Sequence, residues 1–156
     1  MKAKLTIDEV LQKAIAKEIE SQQLYADLRR QMTGKVAKDT FQDMVQQEKG
    51  HQAQLEKYRR RELEEGALRR GEVVDYRIAE HFDQPDISSN MALKDIFLLA
   101  ANRELASSEF YYHLARIHPE GKVKKLIEDL ASQELQHKQR VEFLFNEVAF
   151  PQTDGG

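Results

Sequence analysis

The sequence predicts an all-α domain, a four-helix bundle built from two antiparallel helical hairpins joined by a long crossover. Three observations carry this. Helix-forming Ala, Leu, Glu, Gln, Lys and Arg dominate, and only 7 Gly and 3 Pro interrupt the 156 residues. Apolar residues recur at helical spacing in four separate stretches. A pattern of Glu, Tyr and Glu-x-x-His occurs twice in register.

The first helix is expected to begin at Thr6, because Thr6-x-x-Glu9 is a capping box in which each side chain satisfies a free backbone amide. Its apolar stripe runs Leu11, Ile15, Leu24/Tyr25, Leu28 and Met32, and Gly34 is its expected stop. Asp39 is the expected cap of the second helix, whose stripe is Phe41, Met44/Val45, Leu55 and Tyr58 and which should fray near Gly66 or Gly71. Residues 66–90 form a long connection, with a short helix expected around Val73–Phe82. Asn90 or Ser88 should cap the third helix, which carries Ile96/Phe97, Ala100, Tyr111 and Leu114. His118-Pro119 separates it from the fourth, since proline breaks a helix but fits a new first turn. The fourth carries Val123, Ile127, Leu130, Val141 and Leu144 and ends near Val148. One domain over residues 1–150 and a disordered tail over 151–156 are expected. Short first and last connections make each pair a hairpin, and the long middle one can cross the bundle; that is the ferritin-like topology.

Composition excludes several functions. Without cysteine there is no disulfide, thiolate zinc site, iron–sulfur cluster or thiol nucleophile. A net charge of −3 gives no general attraction to nucleic acid. The Arg59–Arg61 and Arg69–Arg70 runs alternate with Glu62, Glu64, Glu65 and Glu72, which reads as a solvated helix face. The longest apolar run, Ile96 to Ala101, is too short to span a membrane, and no apolar signal core follows Met1. The expectation is a cytoplasmic protein with no membrane or nucleic-acid partner.

The doubled motif carries the chemistry. Glu18, Tyr25, Glu48 and His51 are matched by Glu104, Tyr111, Glu134 and His137, each 86 positions later (18 to 104, 25 to 111, 48 to 134, 51 to 137). Each Glu sits inside an apolar stripe. Phe41 and Leu55 lie seven residues either side of Glu48, and Ile127 and Val141 seven either side of Glu134. Glu18 lies between Leu11 and Tyr25, and Glu104 between Phe97 and Tyr111. Four ionised carboxylates in a core are prohibitive unless neutralised, and two divalent cations carry the matching charge. An oxygen-rich set with one imidazole per metal suits iron or manganese. Zinc prefers more nitrogen or sulfur, and magnesium or calcium seldom takes histidine. Two readings stand for Tyr25 and Tyr111: a phenol that hydrogen-bonds a ligand carboxylate and holds it in place, or a buried aromatic satisfied elsewhere. Tyr58 reads as packing, His113 as exposed, and His118 as a charged residue favoured at a helix C-terminus; His81 falls in the crossover.

These residues resemble the rubrerythrin group of ferritin-like proteins over roughly residues 7–148. The stretches Ala14–Ser21 leading to Tyr25, Phe41–His51, Ala101–Tyr111 and Leu126–His137 are similar to its four ligand helices. The resemblance implies two iron ions per chain, with manganese a possible replacement. It makes Glu48 and Glu134 bridging ligands, Glu18 and Glu104 terminal ligands, and His51 and His137 one ligand per iron. It also implies H2O2 or O2 as substrate. Full-length rubrerythrins carry a cysteine-ligated electron-feeding domain; with no Cys here, the donor is expected to be an external protein. Peroxidase-type members add a glutamate in the third helix, where the candidate positions here are Ala101 and Ser107. Bacterioferritin shares the ligand set, but Lys49 stands where its haem-binding Met would follow the second-helix Glu. The function expected is a di-iron oxidoreductase that scavenges peroxide or oxidises Fe(II). An iron-storage protein and a metal-stabilised interaction module are the alternatives. Apolar residues in Val73–Phe82 suggest a homodimer.

Overall fold

The computed structural model describes residues 4–75, 87 and 91–149. Four long helices, α1 (Ile7–Gln31), α2 (Lys35–Arg59), α3 (Leu93–Arg116) and α4 (Lys122–Ala149), form the bundle. The α1/α2 and α3/α4 pairs are the two hairpins, and residues 60–92 connect them. Two short strands, β1 (Lys4–Thr6) and β2 (Val73–Asp75), pair antiparallel with Leu5 opposite Val74.

The start of α1 is held twice. Thr6 and Glu9 form the capping box, with the Glu9 amide donating to Thr6 Oγ1 at 3.2 Å and the Thr6 amide to Glu9 Oε1 at 3.0 Å. The next amides, which no intrahelical carbonyl can reach, donate to the crossover: Ile7 to Glu72 O at 2.7 Å and Asp8 to Arg70 O at 3.1 Å. Val73–Asp75, expected as the start of a helix, is therefore a strand, because its backbone pairs with the segment leading into α1. The rest of that expected helix, the caps Ser88 and Asn90, His81 and the tail lie outside the described residues.

Other boundaries also shift. The second helix starts directly after Gly34, which takes the N-cap position, so Asp39 is not a cap but pairs with Lys35 Nζ at 2.7 Å. The third helix has Ala92, in extended backbone conformation, at its N-cap position, without a side-chain cap. The second helix ends at Arg59, short of Gly66. Arg61 adopts φ 67°, with its guanidinium donating to Leu68 O at 2.5 Å. The arginine- and glutamate-rich residues 60–72 thus form an irregular loop, not a solvated helix face.

Tyr58 anchors that loop. Its buried hydroxyl accepts from the Leu68 amide at 3.0 Å and donates to His118 Nε2 at 2.7 Å, while His118 Nδ1–H donates to Leu114 O at 2.7 Å. Burial pushes the His118 pKa down, so this residue is a neutral core histidine and not the charged helix terminus its position suggested. His113, expected on the surface, is half-buried. Two glycines let the loop reach the α3–α4 turn. A Cβ on Gly121 would lie 2.9 Å from Glu65 O, and Gly66 has φ 80° with Pro119 O 3.1 Å from its missing Cβ.

The core falls into two apolar clusters. One contains Leu11, Leu55, Tyr58, Leu114 and Ile127, extended by Leu5 and Val74 of the ribbon. The other contains Leu28, Phe41, Met44, Phe97 and Val141. Phe41 stacks between Tyr25 and Phe97, with ring centroids 5.8 and 6.1 Å away.

Gly121→Ala is expected to lower stability by about 1–3 kcal/mol, since backbone must move to admit the methyl. Gly50→Ala, inside α2 with nothing within 4 Å of the new carbon, should raise it by about 0.4–1 kcal/mol. Urea unfolding of the metal-free variants checks both.

Candidate metal centre

Each helix carries one glutamate into the middle of the bundle. Glu18 comes from α1, Glu48 from α2, Glu104 from α3 and Glu134 from α4; all four are buried, as are His51 and His137. The spacing explains the pairing: three residues along a helix return a side chain to the same face, so Glu48 and His51 converge, as do Glu134 and His137.

The six fall into two overlapping groups. Glu18, Glu48, His51 and Glu134 each bring a ligand atom within 4.8 Å of the others, and so do Glu48, Glu104, Glu134 and His137. Glu48 and Glu134 belong to both. The imidazoles lie parallel, with ring centroids 6.1 Å apart.

The close contacts are between acceptors. His51 Nδ1 lies 2.8 Å from Glu134 Oε1, 3.5 Å from Glu48 Oε1 and 3.6 Å from Glu18 Oε1. His137 Nδ1 lies 3.3 Å from Glu48 Oε1 and 3.5 Å from Glu104 Oε2. None of these contacts makes a hydrogen bond. Both Nδ1 atoms, both Glu134 oxygens, Glu18 Oε2, Glu48 Oε1 and Glu104 Oε2 are buried without a partner. Native interiors seldom leave one such atom unpaired. Seven converging on one region fit a positive charge held between them.

The outer nitrogens explain the tautomer. His51 Nε2 donates to Gln133 Oε1 at 2.7 Å, and His137 Nε2 donates to Gln47 Oε1. With the proton fixed there, each Nδ1 presents a lone pair inward, as a metal ligand must. Gln47 and Gln133 escaped the sequence reading although the signal was present: they precede Glu48 and Glu134 and stand 86 positions apart (47 to 133).

The tyrosines cross the bundle. Tyr111 of α3 donates to Glu18 Oε1 of α1 at 2.5 Å. Tyr25 of α1 feels Glu104 of α3, although its hydroxyl has no hydrogen-bond partner among the described residues. Burial and the neighbouring carboxylates push both phenols well above their usual pKa, so both remain O–H donors. The sequence reading also missed Arg103. It is buried on α3, pairs with Glu20 at 2.9 Å and places its charge near Tyr25 and Glu104. Its counterpart in the first half is Lys17 (17 to 103). Ala101 packs in the apolar core, so no carboxylate enters the centre there.

Without metal, protons must substitute for cations. Burial pushes Glu48 and Glu134 well above the carboxylate range, and neighbouring glutamate charges add to the shift. Burial also raises Glu104, but hydrogen bonding to Glu134 and His137 outweighs it and holds that carboxyl at about 2. Burial lowers His51, but Glu18 and Glu48 outweigh it and raise the imidazole to about 9.

This arrangement, four helices around a shared carboxylate–histidine cluster, defines a ferritin-like protein with a candidate two-metal site. The rubrerythrin family model matches residues 9–144, and the chain belongs to that family. No curated protein matches the sequence. Among solved structures, a candidate ferritin-like diiron-carboxylate protein from Thermotoga maritima is similar in fold, with a TM-score of 0.77 at 21% identity; the match covers 95% of this chain and 99% of that one. No described helix is long and apolar enough to cross a membrane.

Raised folded-state values mean that the metal-free protein favours the protonated forms of Glu48, Glu134 and His51 and loses stability as pH rises above their unfolded-state values. His51 contributes fully below its unfolded pKa near 6.5 and loses that contribution as pH rises through about 9. The metal-free protein should therefore be less stable at pH 9 than at pH 6.5. Metal binding should release protons at neutral pH and tighten as pH rises, which an indicator dye in weak buffer detects. Replacing Gln133 by Leu should weaken metal binding about 10–100-fold, as measured by competition with a chelator.

Proposed function

We propose that this protein is a non-haem di-iron oxidoreductase that reduces H2O2 or O2 with electrons from an external donor. The observation that carries the reading is the set of buried, unpartnered ligand atoms in two groups sharing Glu48 and Glu134. Membership of the rubrerythrin family supports it.

In this reading Glu18 and His51 would hold one ion and Glu104 and His137 the other, with Glu48 and Glu134 available to both. The donor set of four carboxylates and two imidazoles balances two divalent ions in charge and suits iron, with manganese the other candidate. Iron bound there would supply reducing electrons, one per ion, to the oxidant. The chain does the rest. Gln47 and Gln133 orient the imidazoles, and the Tyr111 hydroxyl holds Glu18 in place. Two apolar clusters exclude water above and below the charged layer. These 156 residues contain no cysteine and so no thiolate-ligated redox centre to return electrons, which supports a donor outside them.

Reconstitution with excess Fe(II) without oxygen should load two ions per chain, and at most one would count decisively against the reading. Glu48→Ala or Glu134→Ala should impair loading more than Glu18→Ala, because a bridge serves both ions. Stopped-flow mixing of the loaded protein with H2O2 should show one rapid oxidation. Sustained peroxide consumption should need an added reductant. Consumption of many equivalents without one, with no O2 evolved, would rule out the external donor; evolution of O2 would instead mark a catalase.

A further inference from the structure

Gly50 has no packing reason to be glycine. It lies inside the 25-residue helix α2, where glycine costs about 1 kcal/mol relative to alanine. Interior helical glycines are usually explained by a close neighbour, but nothing lies within 4 Å of the Cβ that Gly50 lacks. What the missing side chain leaves is space. A cleft of about 500 Å³ opens there between α2 and α4, and it reaches down to His51 and Gln133.

The duplicated motif supplies an internal control. Gly50 corresponds to Gln136, Gln54 to Arg140 and Asp129 to Asp43, each pair 86 positions apart (50 to 136, 54 to 140, 43 to 129). On the His137 side, Arg140 Nη2 of α4 reaches Asp43 Oδ2 of α2 at 3.1 Å and ties the helices together across the groove. On the His51 side, Gln54 and Asp129 line the open cleft. The shorter Gln54 takes the place of the arginine, and Gly50 takes the place of a glutamine. Both changes remove bulk from the same face. Lys122 and Lys125 stand on the cleft wall against the single carboxylate of Asp129, and the remaining positive charge favours an anionic or neutral solute over a cation.

We infer that the α2–α4 cleft over Gly50 is the route by which small neutral or anionic ligands, peroxide among them, reach the His51 side of the centre, the matching face beside His137 being bridged over. The identity of the ligand rests on the di-iron reading; the route itself does not.

Two variants close the cleft by copying the other half of the chain: Gly50→Gln, and Gln54→Arg, which faces Asp129 as Arg140 faces Asp43. Gly50→Ala is the control that improves the helix without filling the space. In metal-free protein with ¹⁵N-labelled histidine, exchange of the His51 ring N–H with water should be at least ten-fold faster than that of His137. Gly50→Gln and Gln54→Arg should slow His51 about ten-fold and leave His137 alone, and Gly50→Ala should stay within two-fold of wild type. In Co(II)-loaded protein, azide binding followed by visible absorption should slow to a similar extent in both directions in the closing variants, with Kd little changed. Equal exchange at the two histidines in the wild type would overturn the route. So would closing variants with wild-type exchange, or with wild-type azide rates at full Co(II) loading. Failure to bind two Co(II) per chain would count against the two-metal reading alone, and the exchange measurement would still decide the route.

Discussion

A lone pair facing a lone pair organises this molecule. His51 Nδ1 sits 2.8 Å from a carboxylate oxygen of Glu134, and its own proton is committed to Gln133 on the far side of the ring. Two acceptors at that distance repel unless a proton or a metal ion lies between them, and the same conflict recurs at His137. Each helix contributes one glutamate to the cluster, so no helix can rotate or slide without changing its charge balance. A buried charge left uncompensated is more destabilising than most packing defects. The bundle is therefore arranged so that compensation is always available, from protons on Glu48, Glu134 and His51 or from cations.

The rest of the fold keeps that layer in register. Apolar clusters on either side hold the helix spacing, and the aromatic stack of Tyr25, Phe41 and Phe97 begins directly at the ligand layer. The Tyr111–Glu18 hydrogen bond and the Arg103–Glu20 ion pair tie α3 to α1, while the glutamine–imidazole contacts tie α2 to α4. At one end the crossover carbonyls accept the free amides of α1, and the Tyr58–His118 pair locks the loop after α2 against the turn after α3. These contacts are modest singly. Together they hold in place four carboxylates that would otherwise repel one another apart.

The bundle and its charged layer were legible because both are periodic. A glutamate seven residues from Phe41 and from Leu55 has nowhere to point but inward. What was not legible depended on partners distant in sequence. Val73–Asp75 has no strand signal strong enough to stand alone; it is a strand because Lys4–Thr6 lies beside it. His118 reads as a charged helix terminus until Tyr58, 60 residues earlier, supplies a hydroxyl to its ring. Asp39 has the chemistry of a cap, but Gly34 lets the helix begin a turn sooner. Gln47 and Gln133 could have been found, since they obey the repeat, but a glutamine on a charged helix carries no signal by itself.

The repeat is most informative where it fails. A duplicated hairpin would by itself give two equivalent metal environments, and the ligand residues and the orienting glutamines preserve that equivalence, whereas of the two tyrosines only Tyr111 hydrogen-bonds a glutamate. Arg103 breaks it: a buried guanidinium lies near Glu104, whereas its counterpart Lys17 is part-exposed and pairs with Glu20 at 3.6 Å. Gly50 and Gln54 break it again on the surface above His51. The result is one half with a buried guanidinium near Glu104, and another half with a cleft that reaches His51. A centre that only stored charge would gain nothing from such a difference. In a two-metal reading the two ions take different roles. The position beside His51 would face incoming solute, and the position beside His137 would lie behind the Arg140–Asp43 pair, with Arg103 near Glu104.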